Sequence, residues 1–239
     1  FDENGFTESR EILDATQASD LLTRSQLRLV PTRSSFAWGG RYDTAALRYR
    51  VQTVSSAGTR TDVYELPPGE IVTFSAYTMY GDAWSDDSLC LVNGVFTAED
   101  KANAVHVRRI TPATNDDLGI VPINTSTARP DIFVSTTEEA GNELCWVAAS
   151  ETGTPTGTTV FAVSQSGVVR HRMDIAGSIA TSMWAVGNDE VLFGTLVPGM
   201  GVRSTLHSVK FVPASVTGTS EHLTFTVDGA GAGPYLIGR

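Results

Sequence analysis

From Ser34 onward, apolar and polar residues alternate in short runs separated by turn-forming residues. The segments Ala46 to Val51, Thr61 to Leu66, Ala104 to Arg108, Thr159 to Val163 and Leu223 to Val227 carry a two-residue period. That period sends successive side chains to opposite faces of a strand, so it predicts half-buried or buried β-structure. Thr7 to Arg24 departs from it. There Ile12, Leu13, Ala15, Ala18, Leu21 and Leu22 partly fit a 3.6-residue period, and Thr7 with Glu11 gives an imperfect helix start, so a helix and a pair of strands remain equal alternatives.

The predicted strands fall into groups of four. Ile132 to Ser135, Leu144 to Val147, Val160 to Val163 and Val168 to Ile175 form one group, and Met183 to Val186, Val191 to Gly194, Leu206 to Val209 and Leu223 to Val227 repeat its order and spacing. Two earlier groups follow the same plan: Phe36 to Trp38, Leu47 to Val51, Val63 to Leu66 and Ile71 to Phe74, then Ala76 to Met79, Leu89 to Val92, Val105 to Arg108 and Leu118 to Ile123. With Ala37, Met79, Phe133, Trp184 and Leu236 as equivalent first-strand positions, the intervals are 42, 54, 51 and 52 residues. A four-stranded repeat of about 50 residues is the size of a propeller blade.

The expected fold is therefore a single all-β domain over 1–239, a five-bladed β-propeller of four-stranded repeats with blades at 34–75, 76–125, 130–177 and 180–228. The closing blade comes from 1–33 plus 232–239, so the ring is closed by pairing of the termini. Gln26 to Val30 supplies a candidate fourth strand, and Pro234 to Gly238 a lone first strand. The alternative is a two-sheet jelly roll, an architecture suited to a viral capsid subunit.

Composition narrows the functional classes. The chain has 239 residues, 41% hydrophobic and 18% charged, enough to bury a core and unlike a disordered or fibrous sequence. No apolar run approaches the roughly 18 residues of a membrane span, and Phe1-Asp2-Glu3-Asn4 lacks a signal-peptide pattern, so no membrane insertion is expected and the compartment is left open. A net charge of −10 repels polyphosphate, so no nucleic-acid partner is expected. Leu89-Cys90-Leu91-Val92 and Leu144-Cys145-Trp146-Val147 are near-copies. Taken as equivalent positions in neighbouring blades, they put Cys90 and Cys145 beyond the roughly 7 Å Cα separation that a disulfide bridges, so both are expected to be free thiols.

The common catalytic signatures are missing. Gly229-Ala230-Gly231-Ala232-Gly233-Pro234 runs into the apolar strand Tyr235-Leu236-Ile237 rather than a helix, so it reads as a connection and not a phosphate loop. There is no P-loop, no Gly-x-Ser-x-Gly and no His-Glu-x-x-His. His106, His171, His207 and His222 are dispersed one per strand, and Glu221 beside His222 points to the opposite face. Asn124-Thr125-Ser126 matches a glycosylation sequon, a triplet too common to establish secretion.

Acidic pairs are the most defined polar feature: Asp2-Glu3, Asp86-Asp87, Glu138-Glu139 and Asp189-Glu190 fall between first and second strands, hence at one end of a ring, whereas Asp116-Asp117 does not. Asp82-Ala83-Trp84-Ser85-Asp86-Asp87 concentrates carboxylates around an aromatic. Trp84, Asp82, Asp86 and Asp87 are the candidate binding residues, joined by Arg41 and Tyr42, whose Gly40-Arg41-Tyr42-Asp43 is echoed where Gly238-Arg239 meets Phe1-Asp2 in a closed ring. Trp84, in a turn, is the tryptophan expected to be most exposed, and Trp38 and Trp184 are assigned to first strands facing the core or channel. Oxygen ligands at that turn suit Ca²⁺ as the one conceivable cofactor, and paired carboxylates suit glycoside cleavage. With no catalytic constellation present, the preferred function is a non-catalytic module holding a protein or glycan partner on loops of a rigid ring. A self-assembling shell subunit and a propeller glycosidase follow.

Overall fold

A computed structural model describes residues 27, 29–43, 45–46, 48–67, 79–96, 102–127, 130–139, 141–151, 157–197, 203–211 and 220–228. Among them the fold is all-β, with no helix. Sixteen strands form four antiparallel sheets, each a meander of four consecutive strands. Sheet 1 contains β1 (Val30–Pro31), β2 (Phe36–Asp43), β3 (Arg48–Ser55) and β4 (Arg60–Glu65). Sheet 2 contains β5 (Tyr80–Ala83), β6 (Leu89–Phe96), β7 (Ala102–Ile110) and β8 (Asn115–Thr127). Sheet 3 contains β9 (Pro130–Thr136), β10 (Leu144–Glu151), β11 (Gly157–Ser164) and β12 (Val169–Ala176). Sheet 4 contains β13 (Ile179–Ala185), β14 (Glu190–Val197), β15 (Arg203–Phe211) and β16 (Ser220–Asp228).

Every strand pairing among the described residues joins sequence neighbours. A jelly roll needs two sheets threaded by long Greek-key crossovers, so that alternative is set aside. The early segment Thr7 to Arg24 and the expected strands Ile71 to Phe74 and Pro234 to Gly238 lie outside the described residues, as do 76–78 of the strand expected at Ala76 to Met79, and β5 begins after it.

Burial follows the alternation. β12, at one edge of sheet 3, alternates exposed and half-buried side chains, whereas the central strands β10 and β11 are buried on both faces and read as near-continuous apolar runs. Successive sheets pack face to face. Trp38, Tyr49 and Val51 of sheet 1 meet Leu89, Leu91 and Ile110 of sheet 2. Cys90, Val92, Val105 and Val107 of sheet 2 meet Ile132, Val134, Cys145 and Val147 of sheet 3. Leu144, Trp146, Ala148 and Val160 of sheet 3 meet Met183, Val191, Phe193 and Val209 of sheet 4.

The first sheet starts one strand earlier than the pattern suggests. Val30 pairs with Trp38, so Phe36–Asp43 is a second strand, and Val30 belongs to sheet 1 rather than to a closing unit. The hairpins then supply a common frame. Each first hairpin is closed by a backbone bond: Thr32 N–H to Phe36 O, Trp84 N–H to Ser88 O, Thr137 N–H to Leu144 O and Val186 N–H to Glu190 O. The accepting residues are spaced by 52, 56 and 46 residues, so the period near 50 survives the change of frame.

The frame overturns the cysteine expectation. Counting from the hairpin, Cys90 is equivalent to Trp146, and Cys145 to Leu89. The matching Leu-Cys motifs are therefore offset by one residue, and in a strand one residue reverses the face. Cys90 points from sheet 2 toward sheet 3, Cys145 points back, and both lie in the same core. They form a disulfide with a Cα separation of 6.5 Å. Both cysteines are fully buried.

Candidate functional site

The four first hairpins gather side by side. In sheet 1, the Arg33 N–H and Ser34 Oγ donate to the Asp87 carboxylate of sheet 2, the former at 2.7 Å. From the second hairpin, Asp82 Oδ2 accepts from Thr136 N–H at 2.8 Å and Thr136 Oγ1 at 3.1 Å, while Ser85 donates through N–H and Oγ to Glu143 of sheet 3. Sheet 3 continues the series: Ser135 Oγ accepts from Ala185 N–H at 3.1 Å, and Asn188 of sheet 4 accepts from Thr137 Oγ1 and donates to Glu139, each at 2.7 Å. A belt of side-chain hydrogen bonds thus links hairpin to hairpin across three seams.

A concave pocket of about 660 Å³ opens at this belt, with walls supplied by all four sheets. Residues 31–33 come from sheet 1, 82–85 from sheet 2, 135–139 from sheet 3 and 184–187 from sheet 4. Arg33 reaches across to Glu138 at 3.4 Å, joining the hairpins of sheets 1 and 3.

The six sequence-derived candidates separate. Asp82 and Trp84 are pocket walls, but Trp84 is only 1% exposed, its ring packed in the core between sheets 2 and 3. The expectation of an exposed Trp84 is corrected: the carboxylates flanking it bond to neighbouring chain segments, and the indole fills the seam. Asp82 lies within strand β5 rather than in a turn. Burial pushes its carboxyl above the ordinary aspartate value, against the bonds from Thr136 that favour the anion. Asp86 accepts from Ser88 and Arg109; burial alone would raise its pKa, and those bonds outweigh it, holding the carboxyl below its usual range. Asp87 sits at φ 65°, a left-handed conformation that aspartate tolerates, with its carboxylate turned to sheet 1. These three acids face three different partners. Among the described residues, no group of three or more His, Cys, Asp or Glu side chains is placed to hold a metal ion.

Arg41 and Tyr42 are not brought to the pocket. Arg41 donates to Asp62 at 2.6 and 3.0 Å, on the face of sheet 1 opposite Trp38, and Tyr42 packs against Tyr49 in a tilted arrangement with ring centroids 4.6 Å apart. The chain matches no protein-family model and no curated protein sequence. His106 and His207 are buried and partnered, the first between Asp117 and Arg108, the second with Thr195. His171 stacks on both Trp146 and Phe211, which also meet each other.

Sequence reasoning missed the pocket's aromatic. Trp184 is 41% exposed and lines the pocket, whereas the other three tryptophans are each at most 1% exposed. The signal was present in the alternation. Met183 and Trp184 are adjacent on β13, so they must face opposite sides, and Met183 fills the seam to sheet 3.

Proposed function

We propose that the chain is a non-catalytic binding module, a five-bladed propeller whose pocket at the convergent first hairpins holds a partner. The four described sheets are four blades, and residues before Leu27 together with those after Asp228 complete the fifth. Support for closure comes from the far face of sheet 4, where Leu192 and Leu206 share the side that turns away from sheet 3 and are half-buried. Removing residues 229–239 should then lower the unfolding midpoint and raise binding of a hydrophobic dye to the uncovered face of sheet 4. Unchanged dye binding and stability would refute closure by the termini.

The observation that carries the binding reading is Trp184, an exposed indole on a concave wall in a protein that buries its other tryptophans. A large exposed aromatic in a cleft is a contact anchor in search of a partner. Asp82 and Glu139 are committed to the hairpin belt and Asp86 to Arg109 of its own sheet, which leaves Glu138 without the second uncommitted carboxylate that glycoside cleavage needs. Affinity capture on protein and glycan arrays, comparing the parent with Trp184→Ala, tests the reading. Partners retained equally by the variant would remove the pocket from the function. A partly exposed apolar sheet face also favours self-assembly as a second reading, and light scattering showing megadalton particles would select it over the monomeric module.

A further inference from the structure

The pocket's lining carries three carboxylates, Asp82, Glu138 and Glu139, against one guanidinium, Arg33. Asp82 is satisfied by Thr136, and Glu139 by Asn188. Glu138 is different: its side chain is 85% exposed and its ion pair with Arg33 spans 3.4 Å in solvent, where such pairs contribute little. Acids at the ends of hairpins would by themselves describe only a solvated surface. The indole of Trp184, held open on the wall of the same pocket, is an independent feature that needs a ligand face to cover it.

We infer that the pocket receives a basic side chain, the ammonium or guanidinium group of a protein partner, held by Glu138 and packed on the indole of Trp184. This rests on the binding-module reading and deepens it. A cation over an indole gains from the ring's negative face, and a nearby carboxylate adds charge complementarity. The surroundings agree: Asp86, Asp87, Asp189 and Glu190 lie on first hairpins, and the chain carries −10 overall. Such a field accelerates the approach of a cation and repels an anion, and a neutral sugar gains nothing from it.

The test uses the full chain and three synthetic octapeptides of alternating glycine with arginine, serine or glutamate, together with a neutral oligosaccharide. Binding is followed by Trp184 fluorescence and calorimetry at 20 and 200 mM salt. The arginine peptide should bind, more weakly at the higher salt, and Glu138→Gln and Trp184→Phe should each preserve the circular dichroism spectrum. Glu138→Gln should weaken binding roughly fivefold, and Trp184→Ala, read by calorimetry, by a similar factor. Arginine-peptide binding indifferent to Glu138→Gln and Trp184→Ala would overturn the assignment. Trp184-dependent binding of the oligosaccharide or serine peptide, without the arginine peptide, would overturn the basic ligand and leave the binding module standing. No binding by any probe would count against both.

Discussion

Replacing Cys90 and Cys145 together by alanine removes the covalent link between sheets 2 and 3 and leaves their strands otherwise able to pair. The bond closes a loop with a sequence separation of 55 residues. On the chain-entropy description, closing a loop of that length restricts the unfolded state enough to stabilise the fold by about 4 kcal/mol. The two sulfurs are fully buried among Val92, Val107, Val134 and Val147, so their removal adds a smaller packing loss to the same sign. With a urea slope of roughly 2.5 kcal/mol/M, the entropic part alone lowers the midpoint by about 1.5 M.

Two measurements check this. Thiol titration of the unfolded, unreduced parent should find no free thiol, and a value of two would refute the pairing itself. Urea unfolding of the parent and of the double alanine variant, both followed by circular dichroism, gives the magnitude. A midpoint shift below about 0.4 M, roughly 1 kcal/mol on the same slope, would refute the loop-closure reasoning even with the bond present. Synthesis in a reducing cytosol should accordingly yield a chain of markedly lower stability than synthesis in an oxidising compartment.

Trp38→Phe and Trp146→Phe should destabilise by similar amounts, roughly 1–3 kcal/mol each, because each strands the carbonyl that its Nε1 now donates to, Asp87 O at 2.8 Å and Gly187 O at 3.1 Å. Thermal unfolding of the two variants checks the equivalence, and a loss at one site only would argue against it. Asp82→Asn keeps an oxygen acceptor for Thr136 and removes a carboxyl whose pKa burial raises. A raised carboxyl stabilises the fold below its unfolded value and loses that contribution as pH rises through its folded value. The asparagine variant should therefore match or exceed the parent in urea midpoint at pH 7, with the advantage shrinking toward the ordinary value of 3.8. An advantage that grows on acidification would show that the charged carboxylate, not its burial, governs the site.

The alternating pattern located most of the strands because half-buried strands must alternate, and it placed eleven strands of sheets 2 to 4 in the correct order of pairing; the remaining one, expected at Ala76 to Met79, is β5 at Tyr80–Ala83. Three features escaped it for physical reasons. β1 spans only Val30–Pro31, too short to show a period, so sheet 1 was read one strand out of frame and Trp38 was assigned to a first strand. The Leu-Cys motifs looked equivalent because side-chain sequence carries no mark of the hairpin that sets parity, and the longer connection closed by Thr137 and Leu144 shifts that parity by one. The acidic neighbours of Trp84 suggest an exposed indole, although adjacent residues in a turn can point to unrelated partners. Asp2-Glu3 lies outside the described residues, and placement of Asp86-Asp87, Glu138-Glu139 and Asp189-Glu190 on first hairpins was visible in the sequence. Their mutual hydrogen bonds were not, because they depend on contacts between residues about 50 positions apart, such as Thr136 with Asp82 and Asn188 with Thr137.

The hairpin frame gives the three seams a shared construction. Trp38, Cys90 and Trp146 occupy equivalent positions on β2, β6 and β10, and each fastens its sheet to the next. Trp38 and Trp146 do so by donating to the first hairpin of the following sheet, and Cys90 by its bond to Cys145. One position has thus been filled by two chemistries with the same mechanical result. The consequence reaches the pocket. Asp87, whose carbonyl accepts from Trp38, also holds the backbone of Arg33 through its carboxylate, and Arg33 extends to Glu138 on the pocket wall. Seam packing and pocket geometry are therefore coupled through Asp87, a residue that needs its left-handed backbone and both of its acceptor groups to serve the two at once. Trp184 and Glu138 are accessible on the wall of the pocket so formed, whereas Asp82 and Glu139 are engaged in the hairpin belt.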